Sequence, residues 1–167
     1  MTVMCCSLED ALHPYIGVKM IYAVPMTFGE YQKHKGRECP EEGAGAQGYL
    51  VRYHPDNYES WSPKAVFESA YFRIDVPHKL MQSDIDRFVK LSPSIEATDI
   101  PPKTTMVHVK MPNGWDEYET SSCVEPENYD KSLGTEIALS NIKNRLWKHL
   151  GFVLQWARHG LVYKEEK

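Results

Sequence analysis

The longest periodic stretch of this 167-residue chain follows Asp130. Set at about 100° per residue, Ala138, Leu139, Ile142, Leu146, Leu150, Val153, Leu154 and Ala157 fall on one broad arc. Asn141, Asn144, Arg145, Lys148 and Gln155 fall on the opposite arc, and Lys143 sits within the apolar side. The pattern predicts a long helix with one packing face and one face of amides and cations. Asp130 is an N-cap residue type, so the helix should start just after it. Pro126 has no N–H to donate and should end the preceding strand.

Upstream, the period changes from helical to alternating. Thr105, Val107 and Val109 alternate with Met106, His108 and Lys110, a half-buried strand. Pro112-Asn113-Gly114 is a hairpin turn, and Trp115 to Val124 should return beside the first strand. Ile95 to Ile100 reads as another strand, set off by the rigid Pro101-Pro102 pair. Before it, Ser83 should cap a helix through Leu91, with Ile85, Phe88 and Val89 as its apolar stripe and Pro93 at its end.

The first half reads as a smaller unit. Val18 to Val24 is an expected strand, and Thr27 opens a short helix with Glu30 completing a capping box. A loop over 35–48 leads to strand Tyr49 to Tyr53, whose hairpin partner is Tyr58 to Trp61. Pro63 suits the first position of a brief helix, and Phe72 to Val76 reads as a closing strand. The expected organisation is α+β: a loose lead-in at 1–16, an N-terminal α+β module at 17–77, and a second unit at 82–167. The second unit should be a helix, an antiparallel β-meander and the long helix.

Charge refines this picture. The chain carries a net −4, but residues 131–167 hold seven Lys/Arg against three Asp/Glu, so the remainder sums to −8. The balance argues against a nucleic-acid duplex as partner; a locally basic helix suits a small anion. The four cysteines, Cys5, Cys6, Cys39 and Cys123, have no C-x-x-C spacing and no histidine cluster beside them. With no signal peptide evident, a reducing cytoplasm is expected. Apolar runs are too short to span a membrane.

No specific catalytic set emerges from the spacing. Cys123 with a histidine would make a nucleophile pair, but a buried cysteine at a strand end explains it as well. Asp116, Glu117 and Glu119 are candidate metal carboxylates or a solvated strand edge. Trp115, Tyr118, Tyr129, Trp147, Phe152 and Trp156 all lie in the second unit, where each is core, contact or base-stacking surface. Phe152 and Trp156 border the polar arc and are candidates for an oligomer contact. The basic arc itself is either a phosphate site or a solvated face whose cations suit a helix C-terminus.

A longer pattern overlays these pieces. Ser121-Ser122-Cys123-Val124, Pro126-Glu127-Asn128-Tyr129-Asp130, Gly134, Asn144, Trp147, Gly151-Phe152 and Leu154 follow the Asn113-Gly114 hairpin. Over about residues 82–160 this resembles a family of small tailed-phage proteins that includes the Thoeris anti-defence (Tad, first type) proteins. Here Ser122 stands where that family usually has Ala, and Lys148-His149-Leu150 replaces a Leu-Glu pair before Gly151. Pro25-Met26-Thr27, Gly29, Tyr31, Gly48 to Val51, Ser60 to Lys64 and Phe67 resemble a second phage module.

The resemblance implies a protein that binds a cyclic nucleotide immune signal, a cyclic ADP-ribose isomer or a cyclic oligonucleotide, and holds it uncleaved. It also implies a homo-oligomer with pockets between subunits, working without a cofactor or metal in the cytoplasm of the infected bacterium. On that reading Arg145 and Lys148 would meet phosphates, and Asn128, Asn141 and Asn144 would bond ribose or base. Trp115, Tyr129 or Trp147 would stack on a base, and the loop from Ser121 and Ser122 to Asn128 would offer N–H groups to an anion. The rival expectations are an inhibitor that binds a host protein, a hydrolase of the signal and a structural virion role.

Overall fold

Residues 16–39 and 41–162 are described by the computed structural model. The expected lead-in therefore lies almost wholly outside the described residues. The fold is α+β, built on two antiparallel meanders.

The first meander is β1 (Ile21–Pro25), β2 (Gly48–Tyr53) and β3 (Glu59–Pro63), with β2 central. Between β1 and β2 lies α1 (Phe28–His34), whose capping box forms as its sequence predicts. The Thr27 N–H donates to Glu30 at 2.8 Å, and the Glu30 N–H returns to the Thr27 hydroxyl at 3.3 Å. Helix α2 (Lys64–Ala70) follows β3 directly. Pro63 is its N-cap and the last residue of β3, one place earlier than expected, because Pro63 still pairs with Gly48. Tyr31, Leu50, Val51 and Phe67 are the buried apolar side chains of this first unit, Leu50 and Val51 on opposite faces of β2. Glu59 gathers Lys35 at 2.8 Å, Arg52 at 2.6 Å and His34 at 3.0 Å. These bonds, the Lys35 bond foremost, hold its carboxyl at about 2.

The expected strand at 72–76 does not form. Only an isolated bridge joins Val76 to Lys79. Its backbone polar groups are committed elsewhere: the Asp75 N–H donates to Asp84 at 3.0 Å, and the Arg73 carbonyl accepts from Arg87 at 2.8 Å. The segment is thus fastened to the next helix, α3 (Gln82–Lys90). Ser83 does not cap α3, which begins a residue earlier, but donates to Asp75 at 2.6 Å. The cap is supplied by Asp84, whose carboxylate accepts from the Met81 N–H at 2.8 Å.

The second meander is β4 (Ser94–Ile100), β5 (Thr104–Lys110) and β6 (Asp116–Ser122), with β5 central. Gly114 takes φ +84° in the β5–β6 turn, a conformation that suits glycine. A 3-10 turn at Pro126–Asn128 leads into α4 (Lys131–His159), capped by Asp130 as its sequence predicts. Helices α3 and α4 cover one face of the sheet. Ile85, Val89, Val107, Val109, Met111, Ala138, Ile142 and Leu146 form the core. Lys143, the cation inside the apolar arc, reaches Asp86 on α3 at 2.7 Å.

Helix α4 outruns its sheet. Its 29 residues span about 43 Å, while seven-residue strands span about 23 Å. Val153, expected to pack, is therefore 42% exposed. The overhanging end is used in two ways. Its Ala157 carbonyl accepts from the Met20 N–H at 3.2 Å, and its Trp147-to-Arg158 face lies against the segment around Lys79.

Candidate functional site

The overhang of α4 and the segment before α3 enclose a groove of about 300 Å³. Helix α4 contributes Trp147, Gly151, Leu154, Gln155 and Arg158, which share one face by their spacing of three and four. The opposite wall is His78, Lys79 and Leu80. That wall is stapled at both ends. Asp84, wholly buried, accepts from the N–H of Asp75 and of Met81, closing the chain between them into a loop. Arg87 ties the staple down with bonds to Asp84 at 3.0 Å and Asp75 at 2.7 Å. The Ser83 hydroxyl first, and then Arg87, hold the Asp75 carboxyl below its ordinary range.

The groove combines an indole, an amide and two cations. Among the described residues, the side chains of Lys79 and Arg158 make no ion pair or hydrogen bond, so both are available to an anion. Several other cations of the second unit are spent: Lys131 on Asp99, Lys143 on Asp86 and Arg145 on two glutamates. Asn144 and Lys148, both exposed, lie three residues before and one after Trp147, extending the groove's face by one turn.

Arg145 does not lie on the open face. Its Nε donates to Glu117 at 3.0 Å, its Nη1 to Glu119 and its Nη2 to the Tyr118 carbonyl at 2.8 Å. The carboxylates hold its guanidinium above the ordinary arginine range, the Glu119 bond contributing most, and Arg145 in turn lowers the Glu119 carboxyl. Glu117, 8% exposed, also accepts from the Trp115 indole at 3.1 Å and lies 3.6 Å from His149. So Glu117 and Glu119 are not a solvated edge. They face α4, while Asp116 pairs with His108 at 2.8 Å on the other face, where His108 stacks on Tyr118 at 4.4 Å. No three metal-ligating side chains converge among the described residues.

Tyr129 is similarly engaged. Its hydroxyl donates to Asp99 at 2.5 Å and accepts from buried Thr105 at 2.9 Å. The Tyr129 bond first, then Lys131, keeps the Asp99 carboxyl low, and Asp99 raises the phenol. The loop before α4 has part of its N–H groups committed. Those of Cys123, Asn128 and Tyr129 go to main-chain carbonyls, and those of Ser132 and Leu133 go to the Asp130 carboxylate. The Cys123 thiol donates to the Glu125 carbonyl at 3.0 Å, and among the described residues no histidine bonds to it.

The expected site residues thus divide. Trp147 lines the groove; Asn144 and Lys148, exposed, lie beside it on α4 outside its lining, and Asn141, exposed, lies a turn further along the helix. Arg145 and Trp115 meet at Glu117, and Tyr129 is bound to Asp99. Ser122 lies on the uncovered sheet face with its hydroxyl 2.7 Å from Thr104, while Ser121 faces inward opposite Thr105. Asn128 is exposed in the 3-10 turn. Within one chain these residues do not form a single site. Lys79, His78 and Arg158 were not legible as partners, because the groove brings together residues some 80 positions apart.

An α+β protein with a long helix laid over a three-stranded meander and overhanging it is the class defined by this architecture. The chain belongs to the Phage protein (N4 Gp49/phage Sf6 gene 66) family, whose model matches residues 64–157. The match begins at Lys64, inside the expected N-terminal module, so the family segment takes in α2 as well as the second meander. No curated protein and no solved structure matches the chain. Among the described residues no helix is long and apolar enough to cross a membrane.

Proposed function

We propose that this phage protein binds a cyclic nucleotide immune signal in the infected bacterium's cytoplasm and holds it without cleaving it. The observation that carries this reading is the groove itself, lined by the Trp147 indole together with Lys79 and Arg158, two cations whose side chains have no partner among the described residues. An aromatic ring stacks on a base, and cations take phosphate oxygens, Arg158 by its planar fork. Gln155 and Asn144 offer amides to ribose hydroxyls. The ligand class is a cyclic ADP-ribose isomer or a cyclic oligonucleotide, in keeping with the resemblance over residues 82–160. A homo-oligomer would bring further residues to the open side of the groove, with Phe152 and Trp156 at the contact.

The test is a thermal-shift titration against cyclic ADP-ribose isomers and cyclic di- and trinucleotides. A ligand that binds only the folded state raises the melting temperature. The double variant Lys79→Ala/Arg158→Ala should lose most of that rise while keeping the unliganded melting temperature within a few degrees; Trp147→Ala should lose the rise from a lower unliganded melting temperature, because Trp147 also packs against the core. The second reading, an inhibitor that binds a host protein, is favoured by the apolar side chains Leu133, Ile137 and Phe152 exposed along α4. It predicts no shift with any nucleotide.

A further inference from the structure

Helix α4 contains two glycines, and only one is explained by packing within the chain. A Cβ at Gly134 would stand 2.6 Å from the Thr105 hydroxyl and 3.0 Å from its Cβ, so glycine there lets helix and sheet touch. A Cβ at Gly151 would meet nothing within 4 Å. Glycine inside a helix is disfavoured against alanine, because it loses more backbone freedom on folding. Gly151 nevertheless sits in the middle of the groove, one turn from Trp147 and one from Gln155, with Lys79 on the facing wall.

We infer that Gly151 is a close-approach point, where a planar base of the bound nucleotide lies flat on the α4 backbone beside the Trp147 indole. The inference rests on the reading of the groove as a nucleotide site and adds the part of the ligand that the groove recognises. Without a side chain, the helix offers a bare strip of peptide surface next to an aromatic ring. A base in van der Waals contact with that strip leaves its phosphates in reach of Lys79 and Arg158. A methyl group at Gly151 would lift the base off the backbone and away from the indole. An anion lacking a base would not sense the change.

The experiment measures Gly151→Ala and Gly151→Leu in the full chain, with cyclic ADP-ribose and inorganic pyrophosphate as probes. Both substitutions add helix-favouring side chains. The unliganded melting temperature of Gly151→Ala should therefore rise by about 2 °C. Its affinity for cyclic ADP-ribose should fall about tenfold, and that of Gly151→Leu further, with pyrophosphate binding unchanged. A variant more stable yet weaker in binding is an outcome that a structural role for Gly151 would not give. Full cyclic ADP-ribose affinity in Gly151→Ala would overturn the inference and leave the groove reading standing. Full affinity with a reduced molar mass would overturn it too, and would assign Gly151 to a contact with a second copy. No binding of either probe by the unaltered chain would overturn both.

Discussion

Gly134 and Thr105 show how closely single residues set the geometry of the second unit. Thr105 is wholly buried on β5, and α4 passes over it at Gly134, a helix position without a side chain. Helix propensity alone favours Gly134→Ala by about 1 kcal/mol. The contact at 2.6 Å reverses that sign. Overpacking against a buried β-branched residue costs about 1–3 kcal/mol, so Gly134→Ala should lower the urea midpoint with an unchanged slope. Glu59 makes a different residue-level prediction. Its carboxyl is held at about 2 against an ordinary 4.5. The folded state therefore favours the charged form, and the stabilisation is complete above the unfolded value. It fades as pH falls from about 4.5 through about 2. Glu59→Gln should flatten the loss of urea stability across that window, and an unchanged slope there would rule Glu59 out as a source of the acid sensitivity.

Elements cohere here through contacts that alternate strictly with the sheet. Arg145 joins α4 to β6 by gripping Glu117 and Glu119, which share the inner face with Val107 and Val109. Arg145→Ala would leave the Glu117 carboxylate buried without its guanidinium, a loss of about 1–3 kcal/mol, and Arg145→Lys should recover only part of it. A melting temperature unchanged in Arg145→Ala would show the clamp to be dispensable. Much at this scale was legible in the sequence. The Thr27–Glu30 box, the Asn113-Gly114 turn and the Asp130 cap are interactions between residues a few positions apart, which local chemistry determines. The inward direction of Glu117 and Glu119 was also within reach: a hairpin centred on Asn113 places them opposite Val109 and Val107. The strand at 72–76 was misread because its apolar and aromatic residues alternate plausibly. Its fate depends on Asp84 and Arg87, which take its polar groups from across a loop.

At the scale of the whole molecule, the length of α4 is the governing fact. A helix matched to its sheet would have left no overhang, and so no groove between Trp147 and Lys79. The polar arc was legible as a face, but its division into a clamp at Arg145 and a groove residue at Gln155 was not, since only the position of the sheet edge decides it. Of the groove's two cations, Lys79 lies on the stapled loop within the matched family segment, and Arg158 lies on the overhang one residue beyond its end. The most direct measurement is equilibrium dialysis of the full chain against cyclic ADP-ribose isomers and cyclic oligonucleotides, followed by heat release and mass spectrometry of the ligand. Expected is saturable uptake of at least one of them, lost in Trp147→Ala, with the released ligand chemically unaltered. Failure to take up any of them, or release of a ligand opened by one water, would contradict sequestration by this groove.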